Sequence, residues 1–287
     1  MRDFGGDLAH LSINSATLRK QLSLPAIIER CAERGIPRIC PWRDQVHAAG
    51  LANTRRKLAD TGMRTSGYCR GGFFPAADAA GLEAALEDNR RAIDEAKLLD
   101  APCLVLVVGS LPGALNGRPL SKDLALARAQ AVEGIARTLE YARTQAMPLA
   151  VEPLHPMQCA DRSCIATLNH ALDICDALDA GRSGALGVAL DVYHTWWDPQ
   201  LEAAIGRAGR DRLLAYHVCD WLVPTRDLLN DRGMMGDGII ELRKIRAWME
   251  DAGYQGAAEV EIFSEDWWAR PLGEVLGTCI ERHRSVV

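Results

Sequence analysis

The sequence predicts a (β/α)8 TIM barrel that spans residues 1–287 as one domain. Eight short apolar runs alternate with helical segments along the 287 residues, and barrels of this kind usually close as one unit near this length. Helical segments end in a breaker just before the next run, at Gly35, Gly62, Pro102, Pro148 and Gly253. A doubly wound open sheet would want a Gly-rich phosphate turn after the first run, where Asn14-Ser15-Ala16-Thr17 stands instead.

Taken in order, the strand runs are residues 11–13, 36–40, 63–68, 103–108, 149–152, 188–191, 214–217 and 258–262. Each is short and rich in β-branched or aliphatic residues, as expected of strands buried on both faces. The segments 80–99, 124–144, 167–178 and 239–252 carry apolar residues at three- and four-residue spacing with charges opposite, the pattern of helices packed on a sheet. No linker or low-complexity tract interrupts the series.

Composition narrows the function. Hydrophobic residues make up 48% and charged residues 25%, enough apolar chain for a large core. A net charge of −5 argues against a nucleic-acid or anionic-membrane surface, which needs a concentrated positive field. The start, Met1-Arg2-Asp3-Phe4-Gly5-Gly6-Asp7, lacks the features of a secretory signal, and the most apolar stretch, 104–108, is too short to cross a bilayer. Nine cysteines without a C-x-x-C pair read as free reduced thiols, so the expected location is cytoplasmic.

Reactive residues of a parallel barrel gather where strands end and loops begin. The last four runs end in Val151-Glu152-Pro153, Leu190-Asp191-Val192, Tyr216-His217-Val218 and Glu259-Val260-Glu261, each offering an oxygen or imidazole donor. With 38 Asp or Glu and 7 His in the chain, four such ends in succession arise by chance on the order of once in a thousand, or about once in a hundred if the register is allowed to slide. Buried carboxylates gathered without a cation repel one another, and a divalent metal ion resolves the conflict. Oxygen donors with one imidazole fit Mn²⁺ first, with Mg²⁺, Co²⁺, Fe²⁺ or Zn²⁺ compatible. Open positions on such an ion would take a carbonyl and its neighbouring hydroxyl, stabilising the enediolate formed when the α-proton leaves.

The order Glu152, Asp191-x-x-His194, His217-x-x-Asp220, Glu261 resembles the xylose isomerase-like superfamily of sugar phosphate isomerases and epimerases, over nearly the whole chain. The resemblance implies a metal site of Glu152, Asp191, His217 and Glu261, with Glu152 and Glu261 also exchanging the substrate proton. Alternation along the strand points Glu259 and Glu261 to the same side. The resemblance selects Glu261 as ligand and leaves Glu259 one layer deeper, as a structural partner for a buried base. The chain departs from the epimerases of that group at Met157-Gln158-Cys159, where they tend to carry a further polar or acidic residue.

Around this set, His155 is a candidate general base braced between prolines. His194, Arg232, Asp220 and Trp196 are candidates for substrate contact, Arg232 through its guanidinium and Trp196 as an apolar wall under a sugar ring. Asp220 could alternatively orient His217 or cap a helix. Arg70-Gly71-Gly72-Phe73-Phe74 reads as a mobile lid, and Trp267 and Trp268 as an oligomer contact, so a homo-oligomer is compatible with the sequence.

The leading expectation is therefore a metal-dependent isomerase or epimerase of a keto-sugar or related polyol ketone. A lyase or dehydratase acting on a keto-sugar, 3-keto-glycoside or keto-inositol would need the same metal and base. An apurinic endonuclease would need further ligands at Tyr68-Cys69-Arg70 and Val108-Gly109-Ser110, where no histidine stands. A non-catalytic binding subunit is the remaining class, and the intact donor set argues against it. The expected partner is a small sugar-like molecule, with neither nucleic acid nor membrane.

Overall fold

A computed structural model describes residue 2 and residues 4–287. Eight strands lead the chain: β1 (Leu11–Asn14), β2 (Arg38–Cys40), β3 (Arg64–Thr65), β4 (Tyr68–Gly72), β5 (Leu104–Val107), β6 (Leu149–Val151), β7 (Leu186–Asp191) and β8 (Leu213–Val218). The short pair β9 (Asp220–Trp221) and β10 (Arg232–Gly233) and the last strand, β11 (Ala258–Val260), follow. Nine of these form one parallel sheet in the order β3-β2-β1-β11-β8-β7-β6-β5-β4.

The two sheet ends, β3 and β4, are halves of one barrel strand separated by Ser66-Gly67. Ser66 and Cys69 donate their backbone N–H groups to Ile39 and Pro41 of the second strand (3.0 and 3.2 Å), so the ring continues into β4. The chain thus folds as a (β/α)8 TIM barrel, with β9 and β10 as an antiparallel pair above the seventh barrel strand. The expected third strand, 63–68, is corrected by this split. Its apolar signal ends at Tyr68, but pairing with β5 runs on to Gly71 and Gly72, skipping Arg70.

The helices are α1 (Leu24–Glu33), α2 (Arg43–Ala49), α3 (Leu51–Thr61), α4 (Ala79–Leu98), α5 (Leu124–Gln145), α6 (Leu168–Leu178), α7 (Val192–Thr195), α8 (Leu201–Arg212), α9 (Leu242–Asp251), α10 (Glu265–Trp268) and α11 (Leu272–Ser285). Their starts follow local chemistry. Asp78, Asp123 and Thr167 accept from the backbone N–H groups of Gly81, Leu126 and His170, capping α4, α5 and α6. Among the described residues no helix is long and apolar enough to cross a membrane. The nine cysteines are all free.

Two layers of packing position the site. Outside the ring, aliphatic side chains of strands and helices form the main core. Inside it lie small residues: Cys40, Cys69, Cys103, Val105, Ala150, Ala189 and Ala215. This small-residue floor leaves room above it for a layer of charged side chains, among them Glu259 and His217.

Packing also corrects the lid reading of residues 70–74. Phe74 is fully buried, and a Cβ on Gly134 of α5 would come within 2.2 Å of its ring. A Cβ on Gly72 would meet the Val107 carbonyl oxygen at 1.9 Å. The glycines serve close approach, which holds the segment in place. Nor do Trp267 and Trp268 offer an outer contact face: both are buried, and the Trp268 indole N–H donates to the Ala16 carbonyl (2.9 Å).

Candidate metal and substrate site

Glu152, Asp191, His217 and Glu261 arrive from four neighbouring barrel strands by register. Asp191 and Glu259 pair across β7/β8 and β8/β11 with His217, so all three side chains turn to the barrel interior. Glu152 directly follows β6, its N–H bonded to the Leu106 carbonyl (3.0 Å). Glu261 directly follows β11, its N–H bonded to the Val218 carbonyl (3.1 Å). The Thr17 hydroxyl donates to the Val260 carbonyl (2.9 Å) and accepts from the Ile262 N–H (3.0 Å), fixing the backbone on both sides of Glu261.

All four residues are buried, and one donor atom from each lies within 4.8 Å of every other. Carboxylate oxygens and an imidazole nitrogen gathered this closely are a donor set that a divalent cation could draw together. His217 Nδ1 lies 3.0 Å from Glu152 Oε1 and 3.7 Å from Glu261 Oε2, the direction of the cluster. Its other nitrogen, Nε2, has no hydrogen-bond partner and faces Glu259 Oε1 at 3.4 Å. Glu259 is held in turn by the Asn14 amide (2.8 Å) and the Ser66 hydroxyl (2.7 Å). A carboxylate behind a ligating imidazole fixes ring orientation and tautomer.

Electrostatics match this crowding. Burial opposes a charge on His217, yet Glu259, Glu152 and Glu261 together hold its pKa well above the ordinary value. Burial, reinforced by Glu152 and Asp191, pushes Glu261 up to about 8 against the pull of Arg232 and His217. For Asp191 burial is outweighed by Arg232, His194 and His217, and its pKa is lowered.

Arg232 and His194 complete the floor. The Arg232 guanidinium donates to Asp191 Oδ2 (2.8 Å) and Glu261 Oε2 (3.1 Å), and stacks over Tyr193 at 4.5 Å. His194 Nδ1 lies 3.1 Å from the backbone N–H of His155, and its Nε2 lies 3.6 Å from Asp191 Oδ2 and 3.1 Å from an Arg232 nitrogen that can only donate. Burial holds the His194 pKa down at about 3, against Asp191 and with Arg232, so the ring is neutral.

Above this floor opens a cavity of about 180 Å³. Glu152, Glu261, Arg232 and His194 line its base, Trp42, Phe73, Leu154 and Phe263 its apolar wall, and Arg19, Arg70 and Arg162 its rim.

Three candidates lie elsewhere. The His155 ring stacks on Trp221 (4.8 Å) and accepts from the Met157 N–H (3.2 Å), so only its backbone reaches the site, through His194. Asp220 accepts from the N–H groups of Trp221, Gly236 and Ile240 (2.9, 2.8 and 3.0 Å), and thereby ties down the loop that carries Arg232. Trp196 packs against Trp221 at 5.7 Å and does not line the cavity. The apolar wall above the floor includes Trp42 and Phe263, whose rings meet edge to face at 5.2 Å.

Sequence reasoning missed Asn14, whose amide nitrogen links Glu259 to Glu261 (2.8 and 3.0 Å). A second polar residue, two after Ser12 on the same face of the first strand, was the available signal. It also missed Arg162, and it read Arg70 only as part of a lid.

A parallel barrel with four convergent donors at its strand ends offers a cluster that could hold a metal ion. The chain belongs to the family described as Xylose isomerase-like TIM barrel, whose pattern matches residues 28–281. It is similar to a protein of known structure from Sinorhizobium meliloti 1021, 54% identical over 98% of this chain and 99% of that one, with a TM-score of 0.92. The IOLI protein, solved with a zinc atom, superposes at a TM-score of 0.80 with 17% identity, covering 97% of this chain and 98% of that one. Inosose isomerase from Halalkalibacterium halodurans is 24% identical over 217 residues, 75% of this chain and 72% of that protein.

Proposed function

We propose that this chain is a divalent-metal-dependent isomerase or epimerase of a keto-sugar or related polyol ketone. The observation that carries the reading is the convergence of Glu152, Asp191, His217 and Glu261 within 4.8 Å at the base of a cavity floored also by Arg232 and His194. The activity of the inosose isomerase relative and the zinc of the IOLI protein support the same reading.

A divalent ion bound by these four residues would polarise a substrate carbonyl and lower the cost of removing the proton beside it. Glu152 and Glu261 both reach the cavity base, so each carboxylate can take up or return a proton on a bound sugar. His194 and Arg232 line the cavity base, where the Arg232 guanidinium can donate to oxygens of the substrate. Trp42, Phe263 and Leu154 give the ring carbons an apolar wall and displace water from around the reacting bond. The donor chemistry, one imidazole with carboxylates, admits Mn²⁺ first, and Mg²⁺, Co²⁺, Fe²⁺ or Zn²⁺ as well.

The test is incubation of protein loaded with Mn²⁺ in D₂O with a panel of keto-sugars and keto-inositols. Deuterium appearing at the carbon next to the carbonyl, with a new epimer or isomer, is the expected result. An unsaturated product would assign a lyase or dehydratase instead. Full activity after exhaustive chelation would overturn the metal reading.

A further inference from the structure

Four arginines reach the cavity, and three of them have acidic neighbours. Arg232 binds Asp191 and Glu261, Arg19 pairs with Asp44, and Arg162 lies 3.8 Å from Asp161. Arg70 has no carboxylate, carbonyl or hydroxyl partner among the described residues. Its guanidinium lies over the faces of Phe73 (4.1 Å) and Trp42 (5.5 Å).

The backbone around Arg70 is built to aim it. Between Cys69 and Gly71 the register against β5 slips, so that Cys69 faces Val105 and Gly71 faces Leu106. Arg70 is the extra residue of a bulge, and a bulge turns one side chain out of the strand's alternation. Cys69 therefore stays in the barrel interior while Arg70 reaches the cavity rim. The bulge is pinned from behind by Asn89, whose amide accepts from the Gly72 N–H (2.7 Å) and donates to the Gly72 carbonyl (2.8 Å).

A half-buried guanidinium with no hydrogen-bonded anion is unfavourable, and burial lowers its pKa to about 10, still charged at neutral pH. Glu152 and Asp44 attract it from beyond hydrogen-bond distance and Arg162 repels it, and Glu152 lines the same cavity as the two arginines. Such a pair lacks one component, an anion from outside.

We propose that the substrate of this enzyme is acidic, and that its carboxylate or phosphate group is held by Arg70 with Arg162 beside it at the rim. The inference rests on the reading of this cavity as the sugar site. The planar guanidinium offers paired N–H donors to either oxyanion, and the rings of Phe73 and Trp42 keep it oriented.

The experiment compares the binding of D-fructose, D-fructuronate and D-fructose 6-phosphate to Mn²⁺-loaded wild type, Arg70→Met and Arg162→Met by calorimetry. The two acidic sugars separate carboxylate from phosphate, and differences in ring form cancel between wild type and variant. At least one acidic sugar is expected to bind about tenfold or more tightly than fructose to wild type, with an advantage that shrinks as salt is raised. Arg70→Met should bring the ratio close to one, and Arg162→Met should reduce it several-fold. Equal affinities in wild type, an advantage that survives Arg70→Met, or no detectable binding of either acidic sugar overturns the proposal. Deuterium exchange on the same sugars is scored separately: exchange without an acidic preference sinks only the anion subsite, and absence of both exchange and metal binding sinks the site reading itself.

Discussion

Glu259 contributes no ligand to the proposed metal site, yet replacing it with glutamine should weaken metal binding. Its Oε1 faces His217 Nε2 at 3.4 Å, and that nitrogen has no other partner. Glutamine keeps the shape and the contacts to Asn14 and Ser66 but removes the charge. A hydrogen bond to a charged group contributes about 1.5–3 kcal/mol, and a carboxylate behind a metal-bound imidazole also sharpens ring orientation. Glu259→Gln should therefore bind Mn²⁺ or Zn²⁺ about 10- to 100-fold more weakly. Competition with a chelator of known strength measures this directly, and thermal unfolding in excess chelator serves as the control for folding. An unchanged metal affinity in a folded variant would refute the assignment of His217 Nδ1 to the metal and Nε2 to Glu259.

Further outcomes follow from particular contacts. Glu152→Gln should lower turnover by roughly 10²–10⁴-fold, the usual loss of a general base, whereas His155→Ala should cost less than about tenfold because its ring packs on Trp221 away from the cavity; steady-state kinetics on whichever sugar of the panel is turned over decides both. In an exposed helix Gly→Ala gains up to about 1 kcal/mol, but Gly134→Ala should lose roughly 1–3 kcal/mol in urea unfolding, because the new methyl falls 2.2 Å from Phe74. His283 is fully buried against Phe4 (4.4 Å), and burial, with Arg246 and His10, holds its pKa down at about 3. The folded protein therefore refuses a proton that the unfolded chain takes up below about pH 6.5, so this stability is present above that pH and lost as pH falls. Wild type should lose about 2 kcal/mol through this group between pH 7 and pH 5, and His283→Phe should unfold with a correspondingly flatter pH dependence.

The barrel and its four donors were legible because both are properties of strand ends. Strand count follows from period and breakers, and alternation turns the donors inward once the strand is placed, although the choice of Glu261 over Glu259 came from the family resemblance. Side chains on the loops beyond were not legible in the same way. His155, read as a candidate base, and His194, read as a substrate contact, are equivalent in the sequence, since each lies three residues past a donor, at Glu152 and Asp191. Which ring enters the cavity is settled by Trp221, which stacks on His155. Asp220 follows His217 at the same spacing, yet its carboxylate turns back to three backbone N–H groups of its own loop.

The glycines of residues 70–74 carried the opposite lesson. A Gly-Gly pair beside two phenylalanines reads as flexibility when only the chain is visible. In the fold the same pair is required by crowding, with Asn89 against Gly71 and the Val107 carbonyl against Gly72. Glycine's small size lets β4 approach α4 and β5, and the resulting bulge is what turns Arg70 toward the cavity. The segment that looked mobile is thus the rigid mount of a charged side chain. A hydrogen-exchange measurement separates these readings: a lid would exchange its amides rapidly, whereas the Gly72, Phe73 and Phe74 N–H groups, bonded to Asn89, Val107 and Val108, should exchange on the slow timescale of the barrel strands. Fast exchange there would remove the rigid mount on which the orientation of Arg70 depends.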